Sequence, residues 1–135
     1  MQKPEYEIDG TLFATLDQFF EEVGRTLIPQ VQWGHNLNAL NDILRGGFGT
    51  PEGGFILRWK NSQVSRERLG YPLTVRHLEK QLKTCHASTR DLVRRDLEQA
   101  RIGVGPTVFD WLVEIIRDHE DGGEEASDGV QLILE

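Results

Sequence analysis

The chain has 135 residues, 38% of them hydrophobic, with three Trp, six Phe, a single Cys and a formal net charge of −7. That length supports one domain, residues 1–135, with a real hydrophobic core. No apolar run reaches the ~18–20 residues of a membrane span, and Cys85 alone excludes an internal disulfide framework.

The opening Met1-Gln2-Lys3-Pro4-Glu5-Tyr6 has no apolar stretch of the secretory kind, so a cytoplasmic location is the expectation. Charge is unevenly placed. Residues 58–101 hold eleven Lys or Arg against five Asp or Glu, a net +6, which leaves −13 for the rest. Acidic surface steers toward basic partners and repels nucleic acid at long range. Both sets serve equally well as solvated helix faces that confer solubility.

Tyr6-Glu7-Ile8 reads as a short strand ended by the turn pair Asp9-Gly10. A helix follows from Thr15, its cap, with Leu16, Phe19, Phe20, Val23 and Leu27 as the apolar face and Pro29 as the stop. A second, short helix is expected over residues 36–45. Asn36 is its N-cap, Leu37, Leu40 and Leu44 its buried stripe, and Gly46-Gly47 its stop. Asn38, Asn41 and Asp42 fall on the opposite side, with Asn38 and Asp42 stacked one turn apart.

Residues 46–54 are Gly-rich and read as a loop. It lacks the Gly-Lys-Ser/Thr ending of a phosphate cradle and leads into a strand, not a helix. That strand is Phe55-Ile56-Leu57-Arg58, followed by Trp59, whose strand position suggests a core residue. Two helices are expected between Leu73 and Arg101. Leu73, His77, Leu78 and Leu82 mark the first; Ser88, Leu92, Leu97 and Ile102 frame the second, with Gly103 as its stop. Pro106 and Thr107 open a stronger helix with Val108, Trp111, Leu112, Ile115 and Ile116 as its stripe. The acidic stretch 119–129 has no apolar residue larger than Ala and reads as an exposed loop; Val130–Leu134 is a last strand. Helices between strands favour crossover connections: an α/β fold with a small parallel sheet packed against several helices.

Little in this pattern looks catalytic. His35, His77, His86 and His119 are dispersed and make no metal-binding spacing with one another or with Cys85. Cys85 reads as a small, partly buried residue. No Ser sits in a Gly-x-Ser-x-Gly setting. No enzyme activity, metal or cofactor is therefore expected.

The segment Trp33-Gly34-His35-Asn36-Leu37-Asn38-Ala39-Leu40-Asn41-Asp42 resembles the signature of the barstar family, Gly-x-Asn-Leu-Asp-Ala-Leu-x-Asp, with Asn38 in place of one Asp. The resemblance covers roughly residues 6–60 and 107–134 and leaves 61–106 as an expanded helical segment. It implies three parallel strands. It also implies a protein that plugs the active site of a small ribonuclease, a carboxylate on a rigid helix taking the place of the substrate phosphate. By this resemblance Asp42 is the anchor, and Gln32, Trp33, Gly34, His35, Asn36, Asn38, Asn41, Arg45, Gly46 and Glu114 complete the partner-binding set. Gln32 and Asn41 stand where the family has aromatics, and Arg45 adds a positive charge toward a basic partner. A helix C-terminus also favours such a cation.

The expected partner is thus a small basic ribonuclease or related toxin protein, with no membrane involvement. The alternative is a diverged adaptor for another protein. A nucleic-acid binder using residues 58–101 ranks third, because the clustered bases lack interleaved exposed aromatics.

Overall fold

The computed structural model describes residues 3–29, 31–34, 36–45, 54–120 and 129–135. Three parallel strands form one sheet in the order β1 (Glu5–Asp9), β2 (Ile56–Lys60), β3 (Gln131–Leu134). Glu5 lies beside Ile56 and Asp9 beside Lys60; on the other side Ile56 pairs with Gln131 and Trp59 with Leu134. Between β1 and β2 run α1 (Leu16–Leu27) and α2 (Leu37–Arg45). Between β2 and β3 run α3 (Ser62–Arg68), α4 (Tyr71–Thr84), α5 (Arg90–Arg101) and α6 (Val108–Arg117). This is the three-stranded parallel α/β architecture that the strand-helix order implies.

Alternation along the strands sends Ile8, Leu57, Trp59 and Leu132 to the helical face, where all are buried. The opposite face carries Glu5, Glu7, Arg58 and Lys60. Parallel sheets are usually covered on both faces; here the open face is laced with ions. Arg58 donates to Glu5 at 2.7 Å and to Glu135, and Lys60 pairs with Glu135 at 3.2 Å. The two carboxylates hold the Arg58 guanidinium above its ordinary pKa, and Arg58, then Lys60, draw Glu135 below its own.

Trp59 is the hub of the core. Phe19, Phe109 and Phe13 surround its ring at 5.3, 5.2 and 5.9 Å between centroids. Its indole N–H donates to the buried Ser65 hydroxyl at 2.9 Å. Gly10 passes so close to this point that a Cβ would lie 2.3 Å from Ser65 Oγ and 2.4 Å from Asn61 O; only glycine fits. Asp9 accepts from the Thr11 amide and hydroxyl and from the Asn61 amide, which lowers its pKa, the Thr11 backbone bond most.

Thr15 caps α1, accepting from the Gln18 amide, and a reciprocal Thr107–Asp110 capping box opens α6. Leu40, Trp59 and Leu132 share the main core, with Trp111 half-buried against it. A smaller cluster of Leu78, Val93, Leu97 and Ala100 joins α4 to α5, and Trp111 touches both clusters.

Several expectations need correction. The helix α3 lies within the segment 61–106 read as helical, ahead of the two helices placed between Leu73 and Arg101; its inward residue is the polar Ser65. On α5 the buried face is Val93, Leu97 and Ala100, whereas Leu92 and Ile102 are 51% and 76% exposed. Leu92 lies about 100° around the helix from Val93 and so misses the seam. The stretch after α6 is not exposed from its start. His119 is fully buried, and Glu120 accepts from the Leu132 amide at 3.1 Å. The 46–53 loop and residues 121–128 lie outside the described residues.

Candidate functional site

The N-terminus of α2 is built by Asn36. Its Oδ1 accepts from the Ala39 amide at 2.8 Å, and its Nδ2 donates back to the Gly34 carbonyl at 3.2 Å. A Cβ on Gly34 would stand 3.0 Å from that Nδ2, so the absent side chain lets the Asn36 amide fold over. Leu40, Ile43 and Leu44 fix the inward face of α2, and Leu37 is half-buried at the edge of the core. Ile43 replaces Leu37 in the fully buried stripe.

Asn38 and Asp42 are both exposed, one turn apart on the outer face, as spacing predicts. Asp42 and Arg45 are paired at 3.4 Å with side chains 56% and 46% exposed. Such an exposed pair contributes little energy and leaves the carboxylate reachable by a stronger cation. Arg45 sits in the last turn, where the helix dipole favours it.

Asn41 turns the other way. Its Oδ1 is 2.7 Å from Nε2 of the buried His119, a bond that ties α2 to the end of α6. Trp33 also packs inward: its ring meets Phe20 edge-on at 5.4 Å, and its Nε1 occupies the space a Cβ on Gly24 would need. Gln32 and Gly34 are exposed before the helix, and Glu114 is exposed on α6. His35 and Gly46 lie outside the described residues. Of the proposed contact set, then, Gln32, Asn38, Asp42, Arg45 and Glu114 point outward, while Asn41 and Trp33 are engaged by the fold.

Sequence reasoning missed His119. The signal was present: Leu112, Ile116 and His119 continue one helical stripe at spacings of four and three. It also missed a cleft beside α2, lined by the first turns of α1 and α2 and by α4. His77 stands there, half-buried and edge-on to Trp111 at 5.6 Å. Burial pushes its pKa down, Lys80 adds to that, and Asp17 opposes it.

Among the described residues no cluster of three or more His, Cys, Asp or Glu side chains is placed to hold a metal ion, and no helix is long and apolar enough to cross a membrane. Cys85 is half-buried, and His86 accepts from the Ser88 amide to start a single 3-10 turn. No curated protein matches the chain. The family model described as Barstar (barnase inhibitor) matches residues 4–95, running through α3 and α4, where sequence pattern alone gave little resemblance. With more than half of its length matched, the chain belongs to the barstar family.

Proposed function

We propose that this protein is an inhibitor, not an enzyme, and that it binds a small basic ribonuclease or related toxin as a cytoplasmic immunity protein, through the 32–47 loop and helix. One domain, residues 1–135, carries the function, with α3–α5 as part of it. The observation that carries the reading is the exposed Asp42 carboxylate on a capped helix backed by the main core, in a barstar-family chain. A ribonuclease site is lined by cations that hold phosphate. A carboxylate on a rigid scaffold makes charge-assisted bonds to them without reorganising, and the helix behind it excludes RNA.

A specific observation favours divergence from the prototype interface. Asn38 is an amide, Asn41 is bonded to His119, and Trp33 lies on Phe20, so the outer face of α2 presents one acid and no aromatic. Loss of a charge and of aromatic contact area weakens binding to a strongly basic pocket. The reading therefore includes a partner with a more neutral or differently shaped site; an adaptor for a non-ribonuclease protein is the second reading.

The test is titration against barnase and other small basic ribonucleases, following RNA cleavage and binding heat. Inhibition of at least one of them, lost in Asp42→Ala, supports the proposal. Inhibition of none, with capture of a non-nuclease protein through Asp42, favours the adaptor. Nanomolar inhibition of barnase itself would defeat the divergence argument.

A further inference from the structure

A cleft of about 590 Å3 opens between the first turns of α1 and α2 and the outer side of α4. Its floor is apolar: Leu16, Phe20, Leu37 and Leu73. Its volume falls in the range of pockets that hold a ligand or an inserted side chain. Asn36 and Asn38 form one lip, so the cleft is continuous with the surface that carries Asp42.

The two walls differ in charge. On the α1 side stands Asp17, with Glu21 exposed one turn further along the same helix; on the α4 side stand His77 and Lys80. Asp17 and Lys80 make no ion pair with each other among the described residues, so the mouth is open between opposite charges.

We infer that this cleft receives an apolar side chain, aromatic by preference, from a loop of the same nuclease that Asp42 engages; the inference rests on the proposed function. Interface cores are rich in aromatic anchors seated in pockets. The outer face of α2 supplies none: it carries only Asn38, Asp42 and Arg45, and Trp33 before the helix is packed on Phe20. The apolar concavity next to it inverts the usual arrangement: the inhibitor offers the socket and the partner the knob. The charged walls also orient the inserted loop. A Lys or Arg flanking the knob faces Asp17 and Glu21, and a neutral or acidic residue faces Lys80. A uniformly basic loop would be repelled by α4, and an RNA strand by Asp17 and Glu21.

Two measurements test this. Indole serves as a probe of the socket in methyl-resolved NMR: saturable shifts confined to Leu16, Leu37 and Leu73 are expected, and their absence overturns the inference. Gln81→Trp, at an exposed position on the α4 wall, fills the cleft while leaving every residue of α2 unchanged. With thermal melting as the folding control, it should abolish the indole shifts and weaken nuclease binding at least tenfold. Unchanged affinity in Gln81→Trp, with Asp42→Ala still impaired, removes the cleft from the interface while leaving the inhibitor reading intact. Failure of every ribonuclease to bind the unmodified protein overturns both. Sedimentation showing a dimer of the unmodified protein that Gln81→Trp abolishes also overturns the inference.

Discussion

The α2 region and the α4–α5 hairpin are both helical and both flank the candidate site, yet they are held in different ways. The α2 helix puts Leu40, Ile43 and Leu44 into the main core and is tied to α6 through Asn41 and His119. The hairpin rests mostly on its own small cluster and reaches the main core through Leu73 of α4, the Val108–Thr74 hydrogen bond and Trp111. A binding surface backed by the larger core is pre-organised, and little ordering entropy remains to be lost on association. A satellite hairpin opens at lower free energy than the whole fold.

Charge separates the two regions as well, though less simply than composition suggests. Arg58 and Lys60 belong to the ion network on the sheet. Arg66 lies over the Phe109 ring at 4.6 Å, and Arg68 donates to carbonyls of Gly10, Thr11 and Phe13. Arg94, Arg95 and Arg101 have acidic partners on the hairpin itself. Arg76, Lys80, Lys83 and Arg90 are left without an ion pair among the described residues. The net +6 of residues 58–101 is thus mostly dispersed over sheet, core edge and hairpin, while Arg76, Lys80 and Lys83 recur at spacings of four and three along one exposed face of α4.

The largest expected effect comes from the main core. Leu40→Ala should destabilise the protein by roughly 2–5 kcal/mol, because a buried leucine leaves both lost transfer energy and a cavity. Denaturant unfolding should show the loss in all probes together. A change below about 1 kcal/mol would mean that α2 is not anchored as described.

Asp42→Ala should reach a similar size on a different axis. Partner affinity should fall by at least about 2 kcal/mol, mostly through faster dissociation, with folding stability changed by less than about 0.5 kcal/mol. Calorimetry and thermal melting read the two axes separately. Equal loss on both would make Asp42 a structural residue.

Leu97→Ala sharpens the contrast with Leu40. The cost should lie near the lower end for such a truncation, about 2 kcal/mol. Amide exchange should quicken in α4 and α5 first, with α2 still protected. Uniform loss of protection would show that the two clusters act as one core.

Asn41→Ala comes next. Removing the Oδ1 partner of buried His119 should cost roughly 1–2 kcal/mol of stability. Partner affinity should fall less than tenfold, because the side chain faces α6. A larger affinity loss with intact stability would return Asn41 to the contact surface where the family resemblance put it.

Much of this fold is legible from periodicity. Strands β1, β2 and β3, the helices α1, α2 and α6, and their caps Thr15, Asn36 and Thr107 all follow from alternation, helical spacing and capping residues. The misses share a cause. The helix α3 is held by Ser65 against Trp59 and by Arg66 and Arg68, so it leaves no apolar period to read. On α5, Leu92 and Val93 are adjacent, and hydrophobicity alone cannot say which of them faces α4. At the site, the exposure of Asn38 and Asp42 was readable from spacing. The inward turn of Asn41 was not, because its partner His119 lies 78 residues away.

The smallest effect concerns acid, and it also maps onto the two regions. His77, on the hairpin side, has its pKa lowered from 6.5 by burial and by Lys80. A depressed histidine favours folding while neutral, so its contribution is complete above about pH 6.5 and is lost as pH falls through the folded value. Asp9, at the end of β1, has its pKa lowered from 3.8 by the Thr11 backbone amide and the Asn61 side chain, and Glu135 is lowered from 4.5 by Arg58 and Lys60. These carboxylates favour folding while ionised, so their contribution persists above the ordinary carboxylate range and disappears below it. Stability should therefore decline in two steps on acidification, a weakly acidic one from the hairpin and a lower one from the sheet. Both are small, because exposed and half-exposed groups are screened by water. Denaturation midpoints measured from about pH 7.5 to about pH 3 resolve them. His77→Gln should flatten the upper step alone, and Asp9→Asn should reduce the lower step alone. A His77→Gln profile that overlays the unmodified protein above pH 5 would show that His77 does not report on the hairpin, and the division of the acid response between the two regions would fail.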